Sequence, residues 1–63
     1  MNERLQEKRL KKGVSQKEFS KQIGISFNTY QSYELGRRKL KDASYRTVIL
    51  ISQALQCKPE DII

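Results

Sequence analysis

Apolar residues recur along the chain at helical spacings, and glycines separate the segments in which they do so. In the first segment, Leu5 and Leu10 are the apolar positions, and charged side chains occupy most of the places around them. Gly13 follows this segment, and glycine readily adopts the left-handed conformation that ends a helix. The pattern therefore predicts a first helix over residues 2–12.

A second helix is predicted between Ser15 and Gly24. Ser15 followed three residues later by Glu18 is the pattern of an N-cap with its capping-box partner. Phe19 and Ile23 lie four residues apart, so they share one face of this helix. Gly24 stands where the helix must end.

A third helix is predicted immediately afterwards, because Ser26 supplies a new N-cap only two residues after the glycine. Tyr30 and Tyr33, three residues apart, form its inner face, and Gly36 closes it. Two short helices joined so tightly cannot lie antiparallel and must cross at a steep angle. The second and third helices are therefore predicted to form a helix-turn-helix unit.

This stretch resembles the helix-turn-helix of phage-repressor and Cro-type DNA-binding domains, the xenobiotic-response-element family of bacterial regulators. The residues that carry the resemblance are Gln16, Phe19, Ser20, Ile23, Gly24, Ile25, Ser26, Tyr30, Tyr33, Glu34 and Gly36. Two positions depart from the family pattern: Ser20 stands where alanine is usual, and Tyr30 where isoleucine or valine is usual. Both fit the fold if their hydroxyls find partners.

The remainder of the chain predicts a loop and two more helices. Residues 37–43 have no periodicity, and Leu40 is expected to anchor this loop on the core. Residues 44–56 predict a fourth helix whose inward stripe consists of Tyr45, Val48, Ile51, Ser52 and Leu55. Pro59 followed by two acidic residues predicts the start of a short fifth helix. The expected fold is an all-α, compact five-helix bundle that forms one domain over residues 1–63.

Composition narrows the function classes. The chain has one cysteine, Cys57, so it cannot form an internal disulfide, and a cytoplasmic location is expected. The N-terminal residues are charged and the longest apolar run is far too short to span a membrane. No histidine, metal-ligand pattern or nucleophile with its base is present. We therefore expect no catalysis, no cofactor, no metal and no small-molecule substrate.

Positive charge is concentrated in one part of the chain. Residues 1–46 hold 12 of the 13 Lys and Arg but five of the seven acidic residues, a surplus of +7. The net charge of the whole chain is +6, so the rest of the chain is slightly acidic. An uneven basic surplus is typical of proteins that bind a polyanion. The alternative is that these side chains only keep a small protein soluble.

The resemblance implies that the third helix lies in the major groove of DNA, with its N-terminal residues at the base edges. Stepping 100° per residue from Ser26 places four side chains opposite the inner face, and these are the predicted base contacts: Phe27, Asn28, Gln31 and Ser32. Gln16 matches the family's phosphate-contacting glutamine, and the basic loop adds the predicted phosphate contacts Arg37, Arg38, Lys39 and Lys41. The alternatives are ordinary exposed polar residues on the helix and a solvated turn in the loop.

Two further features are predicted at the ends of the fold. In the family, an arginine at the place of Arg9 often pairs with the glutamate at the place of Glu34, so we expect a buried ion pair. The alternative is a solvated surface arginine. Leu50 has no place in the intramolecular stripe, and the short fifth helix cannot bury both Ile62 and Ile63. We therefore expect these three residues to form the interface of a weak homodimer. They could instead be scattered exposed apolar residues.

The sequence thus predicts a transcriptional regulator, most simply a repressor, that binds double-stranded DNA at a pseudo-palindromic operator. The rival is a protein-interaction module of the same fold, such as an antitoxin-like or co-regulator partner that does not bind DNA. Amides on the outward helix face and a basic loop beside them favour DNA.

Overall fold

In the computed structural model, which describes all 63 residues, a side-chain oxygen caps the start of every α-helix. The helices are α1 (Glu3–Lys12), α2 (Gln16–Ile23), α3 (Phe27–Leu35) and α4 (Tyr45–Ala54). Each cap accepts a hydrogen bond from the backbone N–H three residues later, and the caps are Asn2, Ser15, Ser26 and Ser44. None of the four helices has both the length and the apolar character needed to cross a membrane.

The predicted fifth helix is wrong. Pro59–Asp61 form a single 3₁₀ turn, so the fold has four α-helices and not five. The Asp61 carboxylate accepts from the Lys58 backbone N–H at 3.1 Å, a bond that stabilises a first helical turn but does not extend it. Ile62 then leaves the helical conformation, and its side chain is fully buried. A second 3₁₀ turn, Leu40–Asp42, lies within the predicted loop, and Leu40 is buried there.

The core lies where α2 and α3 cross and is closed by α1, α4 and the final turn. Its buried apolar residues are Leu5, Phe19, Ile23, Tyr30, Tyr33, Leu40, Ile51 and Ile62. The rings of Phe19 and Tyr30 meet edge to face, with centroids 5.2 Å apart and planes at 65°. This contact joins the two helices of the predicted helix-turn-helix unit.

Two residues predicted to face the core are exposed. Leu10 is 60% exposed because α1 turns Leu5 and Arg9, four residues apart, towards the core instead. Tyr45 is 81% exposed. It lies two turns before the buried Ser52, on the same face of α4 but at the helix end, where no other element covers it.

Asn2 joins both ends of the chain to α3. Its side-chain oxygen caps α1, and its backbone N–H donates to the Glu34 carbonyl at 2.8 Å. Its side-chain Nδ2 donates to the Ile62 carbonyl at 2.7 Å. The N-terminal residues therefore pass so close to the end of α3 that a Cβ at Gly36 would lie 2.8 Å from the Met1 nitrogen.

This close approach gives the first prediction. Gly36 and Gly13 both have positive φ, at +82° and +80°, so alanine costs about 1–2 kcal/mol of backbone strain at either position. Only at Gly36 must Met1 also move, because nothing lies within 4 Å of a Cβ at Gly13. We expect Gly36→Ala to lower the urea midpoint more than Gly13→Ala. Equal losses would show that the Met1 contact does not restrain the fold.

Candidate nucleic-acid interface

The first turn of α3 presents two side chains to solvent. Ser26 caps this turn, accepting from the Thr29 N–H at 3.2 Å and donating its hydroxyl to Thr29 Oγ1 at 2.8 Å. Asn28 is exposed, and Phe27 is 38% exposed although it is a large apolar side chain. The cap therefore fixes the start of α3 in a position where Phe27 and Asn28 project away from the core.

The other two predicted base contacts are less free. Ser32 is half-buried, and its hydroxyl donates to the Asn28 backbone carbonyl at 2.8 Å, so its proton is already used. Gln31 is half-buried, and its Nε2 donates to Gln16 Oε1 at 3.2 Å. The face opposite the core thus divides into two free residues and two that are bonded within the chain.

A buried ion pair holds the far end of α3. Arg9 Nε donates to Glu34 Oε2 at 2.6 Å, and Arg9 Nη2 donates to Glu34 Oε1 at 3.2 Å. The remaining Nη1 donates to the Val14 carbonyl at 2.7 Å. Arg9 and Glu34 are 6% and 2% exposed, so the predicted pair is present and Arg9 is not a solvated surface arginine. Two parallel hydrogen bonds of this kind fix the orientation of α3 relative to α1 as well as holding the two helices together.

Gln16 connects this pair to the outer face of α3. Its Nε2 donates to Glu34 Oε1 at 3.0 Å, while its Oε1 accepts from Gln31. The sequence gives no sign of this link, because Gln16 and Gln31 are 15 positions apart and glutamine has no preferred partner type. The predicted phosphate contact at Gln16 must therefore use a side chain that already makes two bonds within the chain.

Burial and charge act in opposite directions on these groups. The hydrogen bond to Glu34 raises the pKa of Arg9 above its ordinary value, against the effect of burial. Burial alone would raise the pKa of Glu34, but the bonds from Arg9 and Gln16 outweigh it and the pKa is lowered. Both groups are therefore charged at neutral pH.

The two hydroxyls that depart from the family pattern have different surroundings. Ser20 donates to the Lys17 carbonyl at 2.8 Å, so its buried hydroxyl has the partner that the fold requires. The Tyr30 hydroxyl is buried beside Glu34 and has no hydrogen-bond partner of ordinary geometry. Burial, followed by the neighbouring carboxylate, raises the pKa of Tyr30 far above its ordinary value.

The ion pair gives the second prediction, a dependence of stability on pH. Because the folded pKa of Glu34 lies below the ordinary 4.5, the pair stabilises the fold fully above about pH 4.5. That contribution is lost as pH falls through the folded pKa. We expect the free energy of unfolding to fall more steeply below about pH 4.5 in the unmodified protein than in Glu34→Gln, with sucrose present to keep the variant folded. Parallel acid limbs in urea titrations would contradict the assignment.

The basic loop lies directly after α3. Its four cationic residues are all exposed, and they flank Leu40, which is buried and anchors the loop as predicted. The ion pairs of the structure are Arg9–Glu34 and the exposed Lys11–Glu7 pair, so none of the loop cations is paired. The loop cations are Arg37, Arg38, Lys39 and Lys41. They are available to an external anion.

One of the three predicted dimer residues is buried within the monomer. Ile62 is fully buried in the core of the monomer, which removes it from any interface and corrects that prediction. The reason is that the final 3₁₀ turn packs on α4 and places the Ile62 side chain in the core. Ile63 is 51% exposed and Leu50 is half-buried, so these two remain available.

Comparison with known proteins agrees with this geometry. A family model described as helix-turn-helix matches residues 5–62, nearly the whole chain. No curated protein matches the chain, and no solved structure matches it either. The family match spans the crossed pair α2 and α3, the ion pair and the basic loop. The chain belongs to the Cro/C1-type helix-turn-helix family, whose members are DNA-binding regulatory domains and not typically enzymes.

Proposed function

We propose that the chain is a sequence-specific transcriptional repressor that places α3 in the major groove of double-stranded DNA. One observation carries this proposal: α3 has an exposed first turn, and a loop of four unpaired cations follows its other end. In the docking geometry of helix-turn-helix domains, the N-terminus of such a helix reads bases while basic residues elsewhere in the domain hold phosphates.

The base-reading residues of this proposal are the four outward residues of α3. The Asn28 amide suits a bidentate contact with adenine, and the exposed ring of Phe27 suits the methyl group of thymine. Gln31 and Ser32 lie one turn further along and read through the groups that their internal bonds leave free. Gln16 contacts a phosphate with its remaining N–H and with the backbone at the start of α2.

The proposed phosphate contacts give the third prediction, a strong dependence on salt. Each neutralised phosphate contributes about 0.9 to the slope of log affinity against log salt concentration. Four loop cations per protomer give a slope near −4 and about a 150- to 300-fold loss of affinity between about 50 and 200 mM salt. Lys39→Ala should weaken binding to every duplex alike and make the slope shallower by about 1.

Lys58→Ala is the matched control, because it removes the same charge from an exposed residue outside the basic loop. It should leave the salt slope unchanged. Fluorescence anisotropy titrations of a selected duplex and a scrambled duplex at several salt concentrations measure both variants. If Lys39→Ala and Lys58→Ala alter the slope equally, the loop does not contact phosphates.

Asn28→Ala gives the fourth prediction and separates base reading from phosphate contact. It should lose about 1–3 kcal/mol of binding free energy on the preferred site and almost none on scrambled DNA. The same anisotropy titrations, with a site selected from a random duplex pool, measure this difference. Equal losses on both duplexes would contradict a base-reading role for Asn28.

The rival function is a protein-interaction module of the same fold. Its supporting observation is the 38% exposed Phe27, since an exposed aromatic ring also suits a protein partner. The salt titration decides between the two functions. Absence of salt-dependent binding to any duplex would reject the DNA-binding proposal in favour of the interaction module.

We also propose that two copies bind together at a pseudo-palindromic operator. The exposed Ile63 and the half-buried Leu50 support a weak homodimer that forms fully on DNA. Two-fold symmetry then presents the two α3 helices about 34 Å apart, one turn of B-DNA. Sedimentation with a selected operator tests this, since one protomer per site at saturation would contradict the dimer.

A further inference from the structure

We propose that the buried ion pair also selects the base that Gln31 reads: through Gln16, it holds the Gln31 amide in the orientation that accepts adenine and rejects guanine. This inference rests on the proposed placement of α3 in the major groove. It concerns the direction of two consecutive hydrogen bonds, which run from Gln31 through Gln16 to Glu34.

Glu34 sets the direction of both hydrogen bonds. A charged carboxylate can only accept hydrogen bonds, and Glu34 already accepts two from the Arg9 guanidinium. Gln16 must therefore turn its amide nitrogen towards Glu34, where Nε2 lies 3.0 Å from Oε1. The reverse orientation would place the carbonyl oxygen of Gln16 against a negative charge.

The same constraint passes to Gln31. With its nitrogen committed to Glu34, Gln16 offers only a carbonyl oxygen at its other end. Gln31 must then turn its own nitrogen inward, and Nε2 lies 3.2 Å from Gln16 Oε1. One N–H of Gln31 is used in this bond, which leaves one N–H and the carbonyl oxygen for a ligand.

These two remaining groups match adenine. In the major groove, adenine presents a donor at N6 and an acceptor at N7, which pair with a carbonyl and an N–H respectively. Guanine presents acceptors at both O6 and N7, and it needs two donors where Gln31 has only one free. Cytosine satisfies only the carbonyl, through its N4 amine. Thymine satisfies only the N–H, through its O4 acceptor. The expected order at this position is adenine, then cytosine and thymine, with guanine rejected because one of its acceptors meets the Gln31 carbonyl.

Gln16 is therefore a positioning residue for base recognition in addition to its proposed phosphate contact. The two roles give different results when Gln16 is changed. Loss of a phosphate contact weakens binding to all duplexes by the same factor. Loss of positioning lets the Gln31 amide rotate by half a turn, so that the ratio of affinities for adenine and guanine falls at one position of the site.

The experiment compares adenine and guanine at each position of a site selected from a random duplex pool. The unmodified protein should discriminate by about 5- to 150-fold at the position where Gln31→Ala abolishes discrimination, which is the range of a good bidentate contact. Gln16→Ala should lose most of that factor at the same position. The ratio of adenine to guanine affinities should be the same in the double variant as in Gln31→Ala alone, because Gln16 acts on this ratio through Gln31.

Two controls keep the result interpretable. Gln22→Ala removes an exposed glutamine from the same helix and should change no ratio. Gln16→Met keeps the length of the side chain without its amide and should reproduce the loss seen with Gln16→Ala. Thermal midpoints of all variants establish that each is folded at the temperature of the titration.

The experiment gives different results if this inference is wrong and if the proposed function is wrong. If Gln16→Ala lowers affinity for the adenine and guanine duplexes equally, the inference is overturned while DNA binding stands. Guanine as the preferred base at the position that depends on Gln31 also overturns it. If no duplex is bound in a salt-dependent manner, both the inference and the proposed function fall.

Discussion

Glu34→Gln is expected to lower the free energy of unfolding by about 3–5 kcal/mol, because it leaves the Arg9 guanidinium buried without a counter-charge. A domain of this length buries only about 60% of the surface that its unfolded chain exposes and has little stability to spare. The variant should therefore be largely unfolded at 37 °C. Urea unfolding followed by circular dichroism, with sucrose added to keep the variant folded at low urea, measures the loss.

Glu7→Gln is the matched control for this experiment. It makes the same chemical change in a salt bridge of the same charge type, but Glu7 and Lys11 are 68% and 76% exposed along their side chains. An exposed pair four residues apart on a helix contributes about 0.3–0.5 kcal/mol. If Glu34→Gln and Glu7→Gln cost the same free energy, burial of the Arg9–Glu34 pair has no energetic consequence.

Phe19→Ala is expected to cost about 3–5 kcal/mol of unfolding free energy, the range for removing a buried aromatic ring from a packed core. Phe19 is fully buried, and the substitution also removes the edge-to-face contact between Phe19 and Tyr30 that joins α2 to α3. The cavity would open at the crossing of the two helices. DNA binding should therefore fail together with the fold.

Phe27→Ala makes the same chemical change eight residues later and should give the opposite result. Phe27 is exposed at the start of α3, so its loss should alter the unfolding free energy by no more than about 0.5 kcal/mol. It should instead reduce affinity for the preferred DNA site. Thermal unfolding and anisotropy titration of both variants measure the contrast. A large loss of stability in Phe27→Ala would show that this ring belongs to the core.

The bounds of the helices could be predicted because their signals are local. A serine that caps a first turn and a glycine that ends a last turn act within about four residues. The predicted serine caps form at α2 and α3, and the predicted glycines end α1, α2 and α3, whereas Asn2 caps α1 although it was placed inside that helix. The prediction of a fifth helix was wrong because Pro59 favours the start of a helix but not its continuation. The predictions that Leu10 and Tyr45 face the core were wrong, because the spacing of apolar residues along a helix does not show which part of the helix another element covers.

Some contacts of the candidate site could be predicted from the sequence, and others could not. Charge and position were sufficient to expect the Arg9–Glu34 pair once the family resemblance was seen, and the structure forms it. The bonds of Gln16 to Glu34 and Gln31 were not predictable, because they depend on how three separate segments meet. Burial of Ile62 was missed for the same reason, since it follows from the shape of the final turn.

The bonds of Asn2 have a consequence for how the domain forms on the ribosome. Residue Asn2 is synthesised 60 positions before its hydrogen-bond partner Ile62. Until residue 62 has emerged, a nascent chain lacks both this bond and one of the fully buried side chains of the core. Helices can form during synthesis, but the final closure of the domain must wait for that residue. A pause in translation before residue 62 has emerged would therefore prolong an open state in which Phe19 and Tyr30 are accessible to chaperones and proteases.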